Sequence, residues 1–253
     1  MTRVSDDVMT RTGALPDAVL RYAGHPDGLV DVRLPVGDGP WPLVVLVHGG
    51  FWRQAYDRRH NRPMADALAA QGFVACSVEY RRVGGAGGWP VTAEDVDTAL
   101  AKLPDLLAGL GVETTTTTLV GHSAGGHLVL WLADQGHPVD RVVALAPVCD
   151  LRAAAAEHLG AGAVLDFMGG APEQLPDAYD AADPAVRLEE RDGTAVLVVH
   201  GADDTIVPPA LSRGLVATHP WVRLSEVTGA DHFAVIDPLS CAWPTVLSAI
   251  RGG

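Results

Sequence analysis

The chain has 253 residues, 48% of them hydrophobic, with 28 glycines and 18 prolines. That length suits one large α/β domain or two small ones, and a core that removes roughly three quarters of the unfolded surface from water. A formal net charge of −13 argues against nucleic acid or an anionic membrane surface as a partner. Three cysteines, Cys76, Cys149 and Cys241, stand far apart with no CxxC or Cys/His pattern, which reads as reduced thiols rather than a disulfide framework or a metal site. The start, Met-Thr-Arg-Val-Ser-Asp-Asp, has no apolar leader core, and no run of 18 apolar residues occurs anywhere. The expectation is a soluble, cytoplasmic protein.

Residues 1–26 are polar and mixed, an arm with a short helix. Leu29–Pro35 alternates apolar and polar residues as an edge strand does. Pro42–His48 is a continuous apolar run, the signature of a strand buried on both faces. Arg62–Gln71 reads as a helix, with Pro63 in its first turn and Gly72 just past its end. Phe73–Tyr80 is the next strand. Gly84–Gly88 is glycine-rich but fits neither G-x-G-x-x-G nor a P-loop, so a mobile loop is expected there. Val91–Leu110 carries a helical pattern with Thr92 as its N-cap. The β-branched run Thr114–Val120 suits a strand. Gly121-His122-Ser123-Ala124-Gly125 follows, then a helical run over Ala124–Ala133.

Val139–Ala146 and Thr194–His200 read as further buried strands, Val222–Val227 as the last, and Pro209–His219 and Pro238–Arg251 as helices. Between the first two of these strands, residues 151–192 break the rhythm, first Ala-rich and then rich in Gly, Pro and Asp, as a cap or lid would. The alternation predicts an α/β fold: a mostly parallel twisted sheet of about eight strands, helices on both faces, and a short cap, all in one domain over residues 1–253.

Gly121–Gly125 fits G-x-S-x-G, and its place between a strand and a helix gives the pattern its weight. A serine hydroxyl becomes a useful nucleophile when a sharp turn exposes it to a base, and flanking glycines make such a turn sterically possible. Three loops after strands carry the other parts of acyl-transfer chemistry. His48-Gly49-Gly50-Phe51-Trp52 can present the Gly50 and Phe51 amides, which with the Ala124 amide form an oxyanion hole. His200-Gly201-Ala202-Asp203-Asp204 offers two adjacent candidates for an orienting acid. Gly229-Ala230-Asp231-His232-Phe233 offers His232 as the base. His48 is expected to shape its loop by hydrogen bonding. His122 and His127, beside the serine, are expected to pack or to line a pocket. No His/Asp/Glu set has metal-ligand spacing, and no cofactor is called for.

On these residues the chain resembles an α/β-hydrolase of the esterase/lipase type. His48–Trp52 is similar to the HGG[FY]W loop of kynurenine formamidases and related small carboxylesterases, and Gly121–Leu128 to their GHSAGxHL elbow. His200–Pro208 resembles the acid loop of the wider superfamily, and Asp231-His232-Phe233 its histidine loop. The likeness spans roughly residues 20–250. Phe51 stands where hormone-sensitive-lipase relatives usually carry a third glycine, which points away from that branch. The resemblance implies a catalytic triad of Ser123, His232 and, of the two acids, Asp204. It implies hydrolysis of a small-molecule ester or amide, with an N-formylkynurenine-like aryl formamide first and a short-acyl ester such as an acetyl ester as the alternative. A non-catalytic small-molecule binder on the same scaffold is the contrasting class. Trp52 either floors the substrate pocket or packs its loop; His122 and the lid residues Phe167 and Met168 are further pocket candidates. The edge strand or the last helix offers a surface for a homodimer.

Overall fold

The computed structural model describes residues 7–253. The first six residues of the expected arm lie outside the described residues. Eight strands form one sheet: β1 (Ala18–Arg21), β2 (Leu29–Arg33), β3 (Trp41–Val47), β4 (Val74–Val78), β5 (Thr114–His122), β6 (Arg141–Leu145), β7 (Ala195–Gly201) and β8 (Arg223–Val227). Their spatial order is β1-β2-β4-β3-β5-β6-β7-β8. β1 and β2 pair antiparallel, as do β2 and β4, and every later pairing is parallel. The parallel strands therefore end on one side, where the loops carrying the sequence motifs emerge together.

Side-chain alternation divides the apolar runs between two core layers. On β3, Leu43, Val45 and Val47 enter one layer while Val44 and Leu46 enter the other. β6 and β7 repeat this, with Val142, Ala144, Val196 and Val198 on the first face and Val143, Leu145, Leu197 and Val199 on the second. Helices Val91–Ala108 and Ala124–Leu132 cover the first face, and helices Arg62–Ala70 and Trp243–Arg251 the second. This is why those strands read as unbroken apolar runs: neither face meets water.

Several expectations are corrected. Leu29–Arg33 is not at the edge, because β1, a four-residue strand within the expected arm, pairs outside it. β1, four residues alternating between half-buried and exposed, is too short for that alternation to stand out. Thr92 does not cap its helix. Pro90 holds the N-cap position, and the buried Thr92 hydroxyl donates to the Arg81 carbonyl at 2.6 Å and accepts the Gly88 N–H at 3.0 Å. It ties down the glycine-rich loop instead. The last helix begins at Trp243 rather than Pro238, because Asp237 draws the preceding residues into a turn, its Oδ1 taking the Leu239 N–H at 2.8 Å. Residues 151–192 form the short helical segments Leu151–Ala156, Leu159–Met168, Pro176–Ala182 and Pro184–Arg187, the second broken by left-handed Gly160, Ala161 and Gly162. Val164, Phe167, Tyr179 and Ala182 anchor them to the first core layer.

Two glycines allow the helix after β5 to sit close to the sheet. A Cβ on Gly121 would strike the backbone of Gly125, and one on Gly125 would strike the Val47 and His48 carbonyls. Gly214, by contrast, is exposed in the helix Pro209–Thr218 with open space at its Cβ position. Gly125→Ala is therefore expected to lose about 1–3 kcal/mol of stability. Gly214→Ala is expected to gain about 0.5–1 kcal/mol through helix propensity. Denaturant midpoints of the two variants check this, and a Gly125→Ala protein as stable as the parent would show that the close approach is not real.

Candidate active site

Ser123 stands between the end of β5 and the first turn of helix Ala124–Leu132 with φ 55° and ψ −115°. A non-glycine residue with positive φ is strained, and it persists when its surroundings leave no alternative. Here the Ser123 N–H donates to the Leu145 carbonyl at 2.8 Å, and the Ser123 carbonyl accepts the Val148 N–H at 3.2 Å. The turn is thus pinned to the end of β6 from both sides. Ser123 is only 1% exposed.

Of the two adjacent acids, the structure selects Asp204. Asp203 points to solvent, whereas the Asp204 carboxylate is buried and lies 2.6 Å from His232 Nδ1. Its other oxygen accepts the Ile206 and Val207 N–H groups at 2.8 and 2.9 Å. Burial alone would raise the Asp204 pKa, but hydrogen bonds from His200 and His232, the nearby His232 charge and the Val207 amide outweigh it and hold the value below the ordinary carboxylate range. A carboxylate at Nδ1 fixes the neutral imidazole with its proton on that nitrogen, leaving Nε2 as the basic one.

His232 is held in place by its neighbours. Its own carbonyl lies 2.9 Å from His122 Nε2, and the two rings stand 4.6 Å apart. Asp231 Oδ1 accepts the Phe233 and Ala234 N–H groups, closing the loop just past His232. Burial pushes the His122 pKa well below its usual value, so this ring stays neutral and acts as a brace.

The loop after β3 presses on the serine turn. A Cβ on Gly49 would come within 2.8 Å of the His122 carbonyl and 3.1 Å of Ser123 Cβ. Gly50 (φ 106°), Phe51 (φ 51°) and Trp52 (φ 56°) then run left-handed in succession. Ala124 opens its helix, so its N–H has no partner within that helix. The three expected amide carriers, Gly50, Phe51 and Ala124, thus belong to segments packed around Ser123.

Burial favours the packing reading of Trp52 and His127 and places the pocket candidates Phe167 and Met168 in the core. Trp52 is completely buried and Phe167 is 1% exposed; their rings stack at 4.4 Å with a 13° interplanar angle. Met168 lies in the same core layer. The His127 ring meets the Trp52 ring edge-on at 5.3 Å, and its Nε2 lies 3.0 Å from the Ala182 carbonyl. These side chains bind the cap helices to the serine-bearing helix rather than lining an open pocket. Two roomy cavities lie away from Ser123. One of about 500 Å³ is lined by Arg152, His158, Leu165 and Glu173 of the cap; another of about 620 Å³ lies between Met9–Gly13 and Tyr56–Arg62. The His232–Asp204 contact and the strained Ser123 turn, not cavity size, mark the candidate site.

His200 was present in the acid-loop motif without an assigned role. Its Nε2 lies 2.9 Å from the Val207 carbonyl and 3.2 Å from Asp204 Oδ2, and its Nδ1 lies 2.7 Å from Ser212 Oγ. Its position four residues before the acid was the available signal. Glu79, Tyr80 and Arg82 gave less warning. They sit just beyond β4, and only a charged residue closing an apolar run hinted at them.

Residues 30–218 match the BD-FAE family model. The esterase LipC of Mycobacterium tuberculosis is 28% identical over 243 residues, covering 85% of this chain and 59% of LipC. The esterase LipQ of the same organism is 27% identical over 211 residues, covering 76% of this chain and 50% of LipQ. The chain therefore spans only half to three fifths of these relatives' lengths. Esterase B from Lactobacillus rhamnosis superposes with a TM-score of 0.76 at 21% identity, covering 98% of this chain and 89% of that one. A truncated carbohydrate esterase from gut microbiota gives 0.76 at 18%, covering 94% and 97%. At such identities the two structures speak for the fold, which is that of α/β-hydrolases. With the family model matching most of the chain, this chain belongs to the BD-FAE family.

Proposed function

We propose that the chain is a serine carboxylesterase acting on short-acyl esters. The observation that carries this reading is the 2.6 Å His232–Asp204 contact, with His232 braced through its carbonyl by His122, the residue before a serine held in a left-handed strand-to-helix turn. In the proposed reaction Ser123 Oγ attacks the acyl carbon while His232 Nε2 takes its proton. The Gly50, Phe51 and Ala124 amides receive the charge that gathers on the carbonyl oxygen. His232 returns the proton to the departing alcohol. Water, activated by the same nitrogen, then releases the acid and frees the serine. Asp204 holds the imidazole orientation and stabilises its charged form.

Ester rather than formamide substrates are favoured on two grounds. The relatives LipC and LipQ are named esterases. Trp52, the aromatic residue of the formamidase-like loop and one candidate for a pocket floor, is fully buried and stacked on Phe167. The gut carbohydrate esterase, alike in fold, makes sugar acetates a sensible member of the substrate panel. The test is kcat/KM on p-nitrophenyl acetate and butyrate, an acetylated sugar, and N-formyl-L-kynurenine. Turnover of acetyl esters well above the formamide is expected; a strong preference for the formamide would overturn the ester reading.

Three variants test the roles. Ser123→Ala is expected to lower kcat by about a millionfold with the fold intact. Asp204→Asn is expected to lower kcat by about ten-thousandfold, and Asp203→Asn to leave it within a few-fold. Equal losses in the two Asp variants would contradict the assignment of Asp204. Acid stability provides an independent check. The folded pKa of Asp204 lies below its unfolded value of about 4, so its stabilising contribution is present above that pH. It is lost as pH falls toward the folded value. Asp204→Asn should therefore lose less Tm than the parent between about pH 5 and pH 3, and an equal or greater loss would contradict the depressed value.

A further inference from the structure

The loop from Gly49 to Asp57 holds three left-handed residues in a row, two of them non-glycine, and it carries two of the three proposed oxyanion donors. Such a conformation needs outside restraint. All of the restraint traced below comes from one five-residue segment, Glu79 to Val83, which follows β4. The Val83 N–H donates to the Trp52 carbonyl at 2.8 Å, and the Gln54 N–H donates to the Val83 carbonyl at 2.9 Å. Arg82 Nη1 donates to the Tyr56 carbonyl. The Tyr80 hydroxyl donates to the His48 carbonyl at 2.7 Å, and its ring stacks on the His48 ring at 4.2 Å.

Glu79 closes the arrangement. Its side chain is 3% exposed, and a buried carboxylate persists only when it is well partnered. Oε1 lies 2.8 Å from His48 Nε2, 2.9 Å from Arg82 Nη1 and 3.2 Å from the Tyr80 N–H. Oε2 accepts the Arg58 N–H at 3.1 Å, with Arg58 Nη1 at 3.5 Å. His48 and Arg58 are the residues immediately before and after the loop. One carboxylate thus grips both ends of the segment that carries Gly50 and Phe51. Burial would raise the pKa of Glu79, but hydrogen bonding to His48, the His48 and Arg82 charges and the Arg58 amide bring it down to about 2.

We propose that Glu79 is a positioning residue for catalysis, which clamps His48 to Arg58 and so holds the Gly50 and Phe51 amides where the oxyanion forms. This rests on the Ser123 reading above. Glu79 acts through the loop and touches no reacting atom. An interaction realised at the oxyanion stabilises the transition state more than the bound ester, so its loss appears in kcat and leaves KM nearly alone. A purely structural carboxylate would change stability without that split.

The test compares Glu79→Gln, Tyr80→Phe and Asp134→Asn with the parent on p-nitrophenyl acetate. Asp134 is a carboxylate with a 9% exposed side chain that takes the Arg187 guanidinium at 2.8 and 3.1 Å and makes no bond to the 48–58 or 79–83 segments in this network. Each preparation is first titrated to completion with a fluorophosphonate, so that rates refer to reactive Ser123. Failure of the parent itself to label would count against the serine reading and not against Glu79. In Glu79→Gln, kcat is expected to fall tenfold to a hundredfold with KM within twofold. Tyr80→Phe, the milder change at the same loop, is expected to fall threefold to tenfold with the same split, and it decides the matter if Glu79→Gln does not fold. Asp134→Asn is expected to lose Tm but keep kcat. Unchanged kcat in the folded loop variants, a KM rise that accounts for their loss, or an equal kcat loss in Asp134→Asn would overturn the proposal.

Discussion

The strained turn at Ser123 is the constraint on which the rest of the molecule depends. A serine at φ 55° between a strand and a helix is held there only because close packing leaves nowhere else to go. Gly121 and Gly125 let the helix approach the sheet until backbone touches backbone, and β6 hydrogen-bonds the turn on both sides of the residue. Those contacts need β3, β5 and β6 to be adjacent and parallel, which the two-sided apolar strands ensure. The double-layered core is in this sense the foundation of a single misfit residue.

Around that residue the chain places buried polar groups in two separate clusters, each held by several hydrogen bonds and ion pairs. One joins Asp204, His232 and His200 at the ends of β7 and β8, with His122 bracing the histidine loop from the serine side. The other joins His48, Glu79, Arg58 and Arg82 at the ends of β3 and β4. Buried charges are tolerable when each lone pair and proton is used, and such networks fix geometry more than they add stability. One cluster holds the histidine loop that His122 braces, and the other holds the loop whose Gly49 abuts Ser123. The arrangement is rigid: His127, Trp52 and Phe167 lock the cap helices onto the helix that follows the serine.

Much of this was legible from residue order. The buried strands announced themselves as apolar runs because both faces are covered, and Ser123, Asp204 and His232 follow strands in the order that the fold demands. The choice between Asp203 and Asp204 was not settled by spacing; it turns on which side chain the loop turns inward, and the Ile206 and Val207 amides decide that. β1 is not legible because four residues are too few for their alternation to stand out. Trp52 was open between pocket and packing, since an aromatic residue beside a glycine pair suits either, and only the stacked Phe167 from more than a hundred residues away resolves it. Glu79 was invisible for the same reason: its partners at 48, 58 and 82 come together only when β3 and β4 pair.

The central claim is that Ser123 is the nucleophile of an acyl-transfer site. The most direct measurement is peptide mass spectrometry of the full chain after treatment with a fluorophosphonate, alongside the Asp204→Asn variant. The expected result is one covalent adduct, on the peptide containing Gly121–Gly125 and localised to Ser123, formed far more slowly when Asp204 is replaced. An unmodified Ser123, or an adduct on another residue formed at the same rate in both proteins, would contradict it.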